Sequence, residues 1–410
     1  MKIFYDLGLL IYQFGVWVAS FWNEKASKFK EGRHGLFELL EEKVEKDGKY
    51  VWVHAASLGE FEQGRPIIEK IRRINPDYKI ILTFFSPSGY EVRKNYDGAD
   101  IVCYMPLDTS WNAKRFLDIV NPSCAIFVKY EFWMNYISGL KKRNVPTYIV
   151  SAIFRPEQVF FKWYGGWYRN ILHCFNHLFV QNQKSLDLLA SIGVHNATLT
   201  GDTRFDRVAD IAAQSKNLPI VTAFKGDAKV IVAGSSWPKD EDIICAYFNE
   251  HPEVKMILAP HEIHQAHLDS IVSKLKRPYL FYKDADEESA AKADCLIINC
   301  FGLLSSIYKY GEVAYIGGGF GVGIHNTLEA AVYGMPVLFG PNYTRFQEAV
   351  DMVERGAAFP ITNAEEYYSL MSDLLKDGSA SLQNASERAA AYVSEKCGAT
   401  DKIVKEIFRN

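Results

Sequence analysis

The sequence has little net charge and lacks the short motifs of several common enzyme classes. Its 46 Lys and Arg residues nearly balance 49 Asp and Glu residues, giving a net charge of −3. No overall field therefore attracts nucleic acid, and an anionic partner must be held by local basic clusters. The absence of G-x-S-x-G and Walker A sequences argues against α/β-hydrolases and P-loop enzymes. No register of residues 317–323 gives G-x-G-x-x-G, which argues against a dinucleotide fingerprint.

The seven cysteines are scattered, and no two of them form a C-x-x-C pair. This pattern is typical of buried free thiols in a reducing compartment, so zinc and redox sites are not expected. The histidine cluster in PHEIHQAH (260–267) does not have the order H-E-x-x-H, and a single histidine contacting an anion is the better interpretation. Asp240, Glu241 and Asp242 are explained by the preference of a first helical turn for acidic residues. The sequence predicts no metal and no cofactor.

The amino terminus carries no charge over 16 residues, LGLLIYQFGVWVASFW (7–22). This run is shorter than the ~20 residues of a comfortable membrane span. Basic residues follow at Lys25, Lys28, Lys30 and Arg33. Two interpretations fit the hydropathy equally: a membrane-associated helix whose basic tail stays cytoplasmic, or a core helix that caps a domain. The segment 154–170 mixes aromatic and basic residues, which favours the interpretation of a membrane-associated surface.

Short apolar runs alternate with helical patterns from Lys49 onward, and the runs are continuous rather than alternating, as in buried parallel sheets. One series of predicted strands covers 50–56, 78–84, 100–105, 124–128, 147–152 and 177–181. A second series covers 230–234, 254–260, 279–282, 295–299, 313–318 and 336–340. The sequence therefore predicts two doubly wound α/β domains facing a cleft, in which the ligand is expected to lie.

The predicted division of the chain follows from these two series. The parts are a membrane-associated helix and basic tail (1–35), a first α/β domain (36–206), a small polar linker (207–228), a second α/β domain (229–380) and carboxyl-terminal helices (381–410). One of these last helices is expected to pack back across the domain seam.

Two glutamates of the first series follow predicted strands directly. In HAASLGEFEQ (54–63), Glu60 has two readings: the second half of a Ser-x-x-Glu capping box with Ser57, or a reactive carboxylate at the carboxyl end of a strand. In KYEFWMN (129–135), Glu131 is either an acidic first-turn residue or a partner for Glu60. Both glutamates are predicted in one domain, and the other domain contains a predicted anion-binding loop, described next. The two glutamates are therefore interpreted as a functional pair.

The second series contains the strongest local signal, five glycines within residues 317–323 followed by a helix start near Asn326. Glycine permits close backbone approach, and free N–H groups at a helix start attract anions, so the loop is interpreted as a phosphate cradle. The alternative is a plain turn in which Asn326 and Glu329 form another capping box. Ser235 and Ser236 could also donate to a phosphate.

These pieces together resemble one known family. The segments are HAASLGEFEQ, the E-x-W-x-N of Glu131–Asn135, GDTRFDR (201–207), GSS (234–236) and the G-x-H-N-T-L-E stretch that continues to residue 341. In this order and spacing the chain resembles the 3-deoxy-D-manno-octulosonic acid (Kdo) transferases, membrane-associated GT-B glycosyltransferases of lipopolysaccharide assembly. The resemblance covers nearly the whole chain. It departs at 260–262, where the family commonly has Pro-Arg-His and this chain has Pro-His-Glu.

The resemblance implies that the domain 36–206 binds the acceptor and the domain 229–380 binds the nucleotide-sugar donor. It also implies roles for individual residues. By motif position, Glu60 matches the general base and Glu131 the second essential carboxylate. Donor-binding positions carried over from the family, or placed near its phosphate and sugar acid, are Arg204, Ser235, Ser236, His261, Gly317, Gly318, Gly319, Asn326 and Glu329.

The implied activity is inverting transfer of Kdo from CMP-Kdo to a lipid A precursor, at the cytoplasmic face of the bacterial inner membrane. A carboxylate base and an anion cradle suffice for this reaction, without a metal or a covalent intermediate. Two alternatives stay open: a nucleotide-sugar epimerase on the same scaffold, and a membrane-tethered binding module without activity.

Overall fold

The computed structural model describes residues 2–409, which fall into two compact units. Unit 1 takes the chain up to Arg207 and again from Cys397 onward, and unit 2 takes Val208–Lys396. Each unit is built on one parallel sheet of seven strands.

The sheet of unit 1 begins its winding at a central strand. Its strands are β1 (Tyr50–Ala55), β2 (Lys79–Phe84), β3 (Ile101–Tyr104), β4 (Cys124–Val128), β5 (Thr147–Ala152), β6 (His177–Val180) and β7 (Ala197–Leu199). Their order is β3-β2-β1-β4-β5-β6-β7, and every pairing is parallel. The direction of winding reverses beside β1, so the carboxyl ends of β1 and β4 border the switch point where open α/β sheets bind ligands.

Unit 2 repeats this plan. Its strands are β8 (Lys229–Ser236), β9 (Val254–Pro260), β10 (Tyr279–Phe281), β11 (Cys295–Ile297), β12 (Val313–Ile316), β13 (Val337–Phe339) and β14 (Ala358–Pro360). Their order is β10-β11-β9-β8-β12-β13-β14. Its switch point lies at the carboxyl ends of β8 and β12.

Helices connect the strands and cover both sheets. The first ten are α1 (Lys2–Ala19), α2 (Glu24–Glu31), α3 (Leu36–Lys43), α4 (Leu58–Ile74), α5 (Pro87–Arg93), α6 (Ser110–Val120), α7 (Met134–Lys142), α8 (Gly166–Leu172), α9 (Gln183–Ser191) and α10 (Thr203–Ala213). The others are α11 (Pro219–Lys225), α12 (Pro238–Glu250), α13 (Gln265–Lys274), α14 (Glu287–Lys292), α15 (Leu304–Ile307), α16 (Leu328–Ala331), α17 (Gln347–Glu354), α18 (Ala364–Leu374), α19 (Ala380–Lys396) and α20 (Ala399–Ile407). Short 3-10 turns occupy Val159–Phe161, Tyr282–Asp284 and Tyr308–Tyr310.

The prediction of two doubly wound parallel sheets is confirmed, and each predicted strand region contains a strand. The sequence analysis missed β7 and β14, which are three-residue edge strands. An edge strand pairs on one side only, and so short a strand gives too few residues for a pattern. The continuous apolar runs have the predicted cause, since all six residues of β1 are buried.

The stretch expected as a linker, 207–228, contains most of α10 and all of α11, and the division between the units falls after Arg207. The helix α11 buries Val221 and Phe224. The carboxyl-terminal stretch divides as well: α19 belongs to unit 2, while α20 belongs to unit 1 and contacts α4.

The uncharged amino-terminal run forms α1, whose large apolar side chains are mostly exposed. Within residues 2–409, no helix has both the length and the apolar character needed to cross a bilayer. Of the four basic residues after the run, Arg33 departs from the expected surface role. Its guanidinium donates to the main-chain carbonyls of Phe29, Phe85 and Met105. Burial lowers the pKa of Arg33 to about 10.

Candidate active site

Glu60 lies in the first turn of α4, immediately beyond the carboxyl end of β1. The N–H of Ser57 donates to Oε2 of Glu60 over 3.0 Å, and the Ser57 hydroxyl contacts the same oxygen at 3.3 Å. The capping box in the sequence is therefore present. Both contacts fall on Oε2, and Oε1 has no hydrogen-bond partner in the described part of the chain.

Glu131 lies three residues beyond the end of β4, the strand beside β1. Its side chain is almost fully buried and accepts hydrogen bonds on Oε2 from Trp133 Nε1 at 2.5 Å and His54 Nε2 at 3.1 Å. The tryptophan of the E-x-W-x-N segment therefore holds the glutamate of the same segment. Because parallel strands end at one edge of a sheet, Glu60 and Glu131 share that edge.

A buried hydrogen-bond chain behind Glu131 holds His54 in place. Trp52 Nε1 donates to the hydroxyl oxygen of Thr83 at 2.9 Å, and that hydroxyl lies 2.8 Å from Nδ1 of His54. The other ring nitrogen, Nε2, faces Glu131. His54 and Thr83 are completely buried, so the chain is isolated from solvent.

The electrostatic environment makes Glu60 a stronger base than an ordinary glutamate. Burial raises the pKa of Glu60, and the charge of Glu131 raises it further. His54, Lys129 and the N–H of Ser57 act in the opposite direction. The net shift is upward, and a carboxylate with a raised pKa accepts a proton more readily near neutral pH.

Asn135, the last residue of the E-x-W-x-N segment, binds the first turn of α1. Its Nδ2 donates to Asp6 Oδ1 over 2.7 Å and to the main-chain oxygen of Asp108. The buried carboxylate of Asp108 accepts from Tyr5 at 2.7 Å and from the N–H groups of Asn135 and Tyr136. The segment that carries Glu131 is thus joined to α1 through Asp108.

Arg204, predicted as a cation for the donor, lies in unit 1 just after β7, at the start of α10. Its Nε and Nη2 contact Asp202 Oδ2 at 2.8 and 2.7 Å. The guanidinium therefore has a built-in carboxylate partner. Its role toward a donor stays a prediction.

The glycine loop of unit 2 is shaped by close backbone approach. A Cβ atom at Gly317 would collide with the main chain of Ser235 and Ser236, and one at Gly319 would collide with Gly340. Gly318 has φ +94. The N–H of Gly317 donates to Gly234 O and the N–H of Gly318 to Asp240 Oδ2. These two N–H groups are committed within the protein, so the expected cradle of free N–H donors is wrong for Gly317 and Gly318.

The two predicted serines differ in accessibility. Ser236 is completely buried, and its hydroxyl donates to Glu241 Oε1 at 2.9 Å, so this hydroxyl is not available as a phosphate donor without leaving Glu241. Ser235 is partly exposed at the end of β8 with φ +52, a conformation that costs free energy for a residue with a side chain. Of the pair, Ser235 is the residue whose hydroxyl is open to a ligand.

The acidic residues after Ser236 do more than favour a helix terminus. Asp240 accepts from the N–H groups of Trp237 and Gly318 and from the Tyr315 hydroxyl. Glu241 accepts from Ser236 and contacts His267 at about 3 Å. Both carboxylates are fully buried, and burial raises the pKa of Asp240. The dipole interpretation was therefore incomplete, because these side chains connect α12 to β12, the glycine loop and α13.

Three aromatic rings collect at the carboxyl edge of the unit 2 sheet. His261 stacks on Trp237 with ring centres 4.7 Å apart and lies 4.5 Å from the ring of His325. Trp237 Nε1 is 3.4 Å from His325 Nε2. Burial and the neighbouring His261 lower the pKa of His325. These rings form a partly exposed aromatic cluster, on which a planar base or a sugar can stack.

Asn326 and Glu329 form the local pair that was the alternative in the sequence. Asn326 Nδ2 donates to Glu329 Oε1 at 3.0 Å, and its Oδ1 accepts from the N–H of Leu328. Unit 2 thus brings Ser235, His261 and the glycine loop together at the ends of β8, β9 and β12, with this pair beginning α16.

The three side chains Glu262, His264 and His267 have ligand atoms within 4.8 Å of one another, the one such group among the described residues. Their nitrogens are already engaged. His264 caps α13 through Nδ1 and contacts Glu262 through Nε2, while His267 contacts Glu241 and the Glu262 carbonyl. A metal would have to displace these bonds.

Sequence reasoning missed His54, Thr83, Trp237 and His325 as site residues. A signal existed for His54, because a histidine within an otherwise apolar buried strand must be paired. His325 stands in the G-x-H-N-T-L-E stretch beside residues that were selected. Nothing in the sequence joins Thr83 to His54, since the two residues meet only when β1 pairs with β2.

Known proteins extend these observations. Residues 28–207 match the family model described as 3-deoxy-D-manno-octulosonic-acid transferase (kdotransferase). The 3-deoxy-D-manno-octulosonic acid transferase of Aquifex aeolicus is 29% identical over 333 residues, covering 79% of this chain and 86% of that protein. The transferase of the same name from Bordetella pertussis is 26% identical and covers 86% of each chain.

Among solved structures, UDP-GlcNAc 2-epimerase from Neisseria meningitidis bound to UDP-GlcNAc superimposes with a TM-score of 0.62. It covers 88% of this chain and all of its own at 16% identity, so the likeness concerns the fold alone.

Two seven-stranded parallel sheets, each with candidate site residues at its switch point, give the chain the GT-B fold, and its relatives are named glycosyltransferases. The relatives described above, which align over most of the chain, are 3-deoxy-D-manno-octulosonic acid (Kdo) transferases. The chain is similar to this family, whose model matches residues 28–207.

Proposed function

We propose that the protein transfers Kdo from CMP-Kdo to a lipid A precursor, with inversion at the anomeric carbon. The observation that carries this proposal is the pair Glu60 and Glu131 at the ends of neighbouring strands, with the pKa of Glu60 raised. The match of residues 28–207 to the Kdo transferase family model supports the sugar, and the relatives bear its transfer in their names.

In the proposed reaction, Glu60 removes the proton from the acceptor hydroxyl through its unpartnered Oε1 while Oε2 stays bound to the helix cap. The hydroxyl oxygen forms the new bond to the anomeric carbon. The bond from that carbon to the phosphate of CMP breaks, and its electron pair stays on the phosphate oxygen. Glu131, held by His54 and Trp133, raises the basicity of Glu60 through its charge.

The donor is assigned to unit 2. Ser235 is the hydroxyl open to a phosphate, and the stacked rings of Trp237 and His261 suit the cytosine base or the sugar acid. Gly317–Gly319 contribute by packing, because the absence of side chains lets this loop lie directly against the main chain of Ser235, Gly323 and Gly340. Asn326, Glu329 and Arg204 keep their predicted roles as donor contacts in this proposal.

The acceptor explains the exposed apolar surface of α1. Ile3, Phe4, Ile11 and Phe14 are among its largely exposed side chains, and basic residues follow in α2. Such a surface favours an interface with anionic lipid. The exposed rings of Trp163 and Tyr164 support the same interpretation. We therefore place the enzyme at the cytoplasmic face of the bacterial inner membrane, lying on the lipid.

The decisive experiment compares the wild-type protein with Glu60→Gln in the presence of CMP-Kdo and a lipid A precursor, with the product measured by mass spectrometry. The variant keeps an acceptor for the Ser57 N–H, so the cap is preserved. Loss of a general base predicts a fall in kcat of about 10²–10⁴-fold with unchanged CMP affinity. A folded, CMP-binding variant with near-normal turnover would reject the role of Glu60.

The same preparation distinguishes the epimerase alternative. The proposal predicts that CMP competes with the donor and that UDP does not, as measured by calorimetry. Preference for UDP, together with turnover of a UDP-sugar without lipid, would reject transfer from CMP-Kdo.

A further inference from the structure

An open pocket of unit 1 adjoins the segments that carry the two carboxylates but takes no part in the chemistry above. It has a volume of about 420 Å³ and is lined by α1, α2 and the turn after β2. Its walls are largely apolar, with Tyr12, Val16 and Ala19 from α1, Ala26 and Phe29 from α2, and Phe85 from the turn. Within the described residues, none of its lining side chains has a buried polar atom without a partner. An occupant therefore needs no hydrogen bonds inside the pocket.

The walls are fixed before any ligand arrives. The guanidinium of Arg33 lies 3.6 Å from the centre of the Phe29 ring and donates to the carbonyls of Phe29 and Phe85 at 3.0 and 2.8 Å. The rings of Phe29 and Phe85 also contact each other edge to face, 5.2 Å apart. A preformed pocket binds without the cost of ordering its walls.

The pocket shares its inner wall with the segments that hold both carboxylates. The Phe85 ring lies 4.7 Å from the ring of Trp133, the residue that donates to Glu131. The next residue, Ser86, donates its N–H to Ala56 O at 2.8 Å, beside the cap that binds Glu60. A molecule anchored in the pocket is therefore held beside the reacting groups.

The outer rim combines a free cation with apolar rings. Lys25 lines the pocket and is exposed, and in the part of the chain that the structure describes no ion pair of Lys25 is found. By contrast, the amine of Lys28 is paired with Glu24. Phe21 and Trp22, in the turn between α1 and α2, are 67% and 74% exposed. The pocket is thus continuous with the apolar surface assigned to the membrane.

We propose that this pocket binds one acyl chain of the acceptor lipid, with Lys25 meeting a phosphate of its headgroup. The inference rests on the proposed function and deepens it, because unit 1 would then select an acylated acceptor by binding its acyl chain. An apolar chain fits the largely apolar walls, an anionic headgroup fits the rim, and the shared wall sets the distance between the anchored chain and Glu60.

The test uses the full chain in detergent micelles, where membrane binding does not limit the reaction. Ala26→Trp fills the pocket from α2, and Ala190→Trp, on the exposed face of α9, is the matched control. Three readouts are compared. They are the KM for a tetra-acylated acceptor, crosslinking to an acceptor analogue with a diazirine in one acyl chain, and binding to lipid vesicles in the absence of detergent.

The expected result is that crosslinks in the wild-type protein map to the segments 12–29 and 85–87 and disappear in Ala26→Trp. Displacing even two or three methylene groups raises KM for the acylated acceptor by about tenfold or more. The KM for CMP-Kdo and the value of kcat stay within about twofold, and the control behaves as wild type.

Crosslinks that map elsewhere, or an unchanged acceptor KM in Ala26→Trp, would overturn the acyl-chain site while leaving Kdo transfer intact. If Ala26→Trp loses vesicle binding but keeps its crosslinks and acceptor KM, the pocket belongs to the membrane surface alone, which also overturns the proposal. Should neither protein transfer Kdo, the proposed function fails, and the crosslinks still decide what the pocket binds.

Discussion

Glu60 can serve in the fold and in the reaction because its two oxygens have different surroundings. Oε2 completes the helix cap with Ser57, and Oε1 has no partner among residues 2–409. The cap contact holds the carboxylate in place through Oε2 and leaves Oε1 available to accept a proton. The structural and catalytic interpretations of Glu60 are therefore compatible.

The pH dependence of turnover follows from the raised pKa of Glu60. A general base must be ionised, so kcat/KM falls as pH decreases through this pKa, and the acid limb should lie above the ordinary glutamate value of about 4.3. After burial, the charge of Glu131 is the second cause of the raised pKa of Glu60. Glu131→Gln removes this charge, so the residual activity of the variant should show an acid limb shifted to lower pH. The profile of kcat/KM between about pH 4 and 8 measures this shift.

The control for this shift is Glu42→Gln, an exposed glutamate of α3, whose profile should coincide with that of the wild-type protein. An acid limb that moves upward in Glu131→Gln, or stays in place, would contradict the assigned coupling of the two carboxylates.

At the scale of elements, the first turn of α1 is bonded to the segment that carries Glu131. Tyr5 and Asp6 reach Asp108 and Asn135, so the amino-terminal helix and the E-x-W-x-N segment are held as one assembly. The donors and acceptors of this cluster are buried or partly buried, and each lost bond would leave a partner unsatisfied. The helix α1 is therefore structurally connected to the segment that carries Glu131.

Asp108 predicts a pH-dependent contribution to stability. Burial raises its pKa to about 7 in the folded protein, although three donors oppose the shift, and the unfolded value is about 3.9. The folded state therefore keeps a proton that the unfolded state has lost. The free energy of unfolding should fall by up to about 1.4 kcal/mol per pH unit between about pH 5 and 7 because of this group.

The measurement is denaturant unfolding across that range for the wild-type protein, Asp108→Asn and Asp118→Asn. Asp108→Asn lacks the titration, so its stability deficit should shrink as pH rises toward 7. Asp118 pairs with Arg143 at the exposed surface, and its variant should show a difference that does not depend on pH in this range. A constant deficit in Asp108→Asn would refute the raised pKa.

At the scale of the whole molecule, the chain leaves unit 1 after Arg207 and returns to it at Cys397. The returning helix α20 is tied down by Asp206, which accepts from the N–H groups of Gly398 and Thr400. Ile403 and Val404 enter the core that contains Ile67 and Ile71 of α4. The core of unit 1 is therefore incomplete without α20.

This arrangement predicts a large effect from one carboxyl-terminal side chain. Ile403→Ala leaves a cavity in a fully buried position and should cost unit 1 about 2–5 kcal/mol. Lys402→Ala, at an exposed position in the same helix, should change stability by less than about 0.5 kcal/mol. Hydrogen exchange at increasing guanidinium chloride concentration measures the stability of each unit separately. If Ile403→Ala lowered amide protection in unit 2 as much as in unit 1, the assignment of α20 to unit 1 would be contradicted.

The sequence by itself determined the elements whose signals are local. A strand buried on both faces must be apolar throughout, which is why β1 and its neighbours were recognisable from composition. The Ser57–Glu60 cap lies within four consecutive residues, so its spacing can be recognised from the sequence. Edge strands such as β7 lack that signal, and the resemblance to a family supplied the roles of Glu60 and Glu131.

Only the tertiary structure decided which polar groups remain free for chemistry. The N–H of Gly318 is taken by Asp240, which lies 78 residues away, and the hydroxyl of Ser236 is taken by Glu241. His54 meets Glu131 only because β1 pairs with β4. The physical reason is that a buried polar group must find a partner, and that partner is chosen by packing between distant segments rather than by neighbours in the chain.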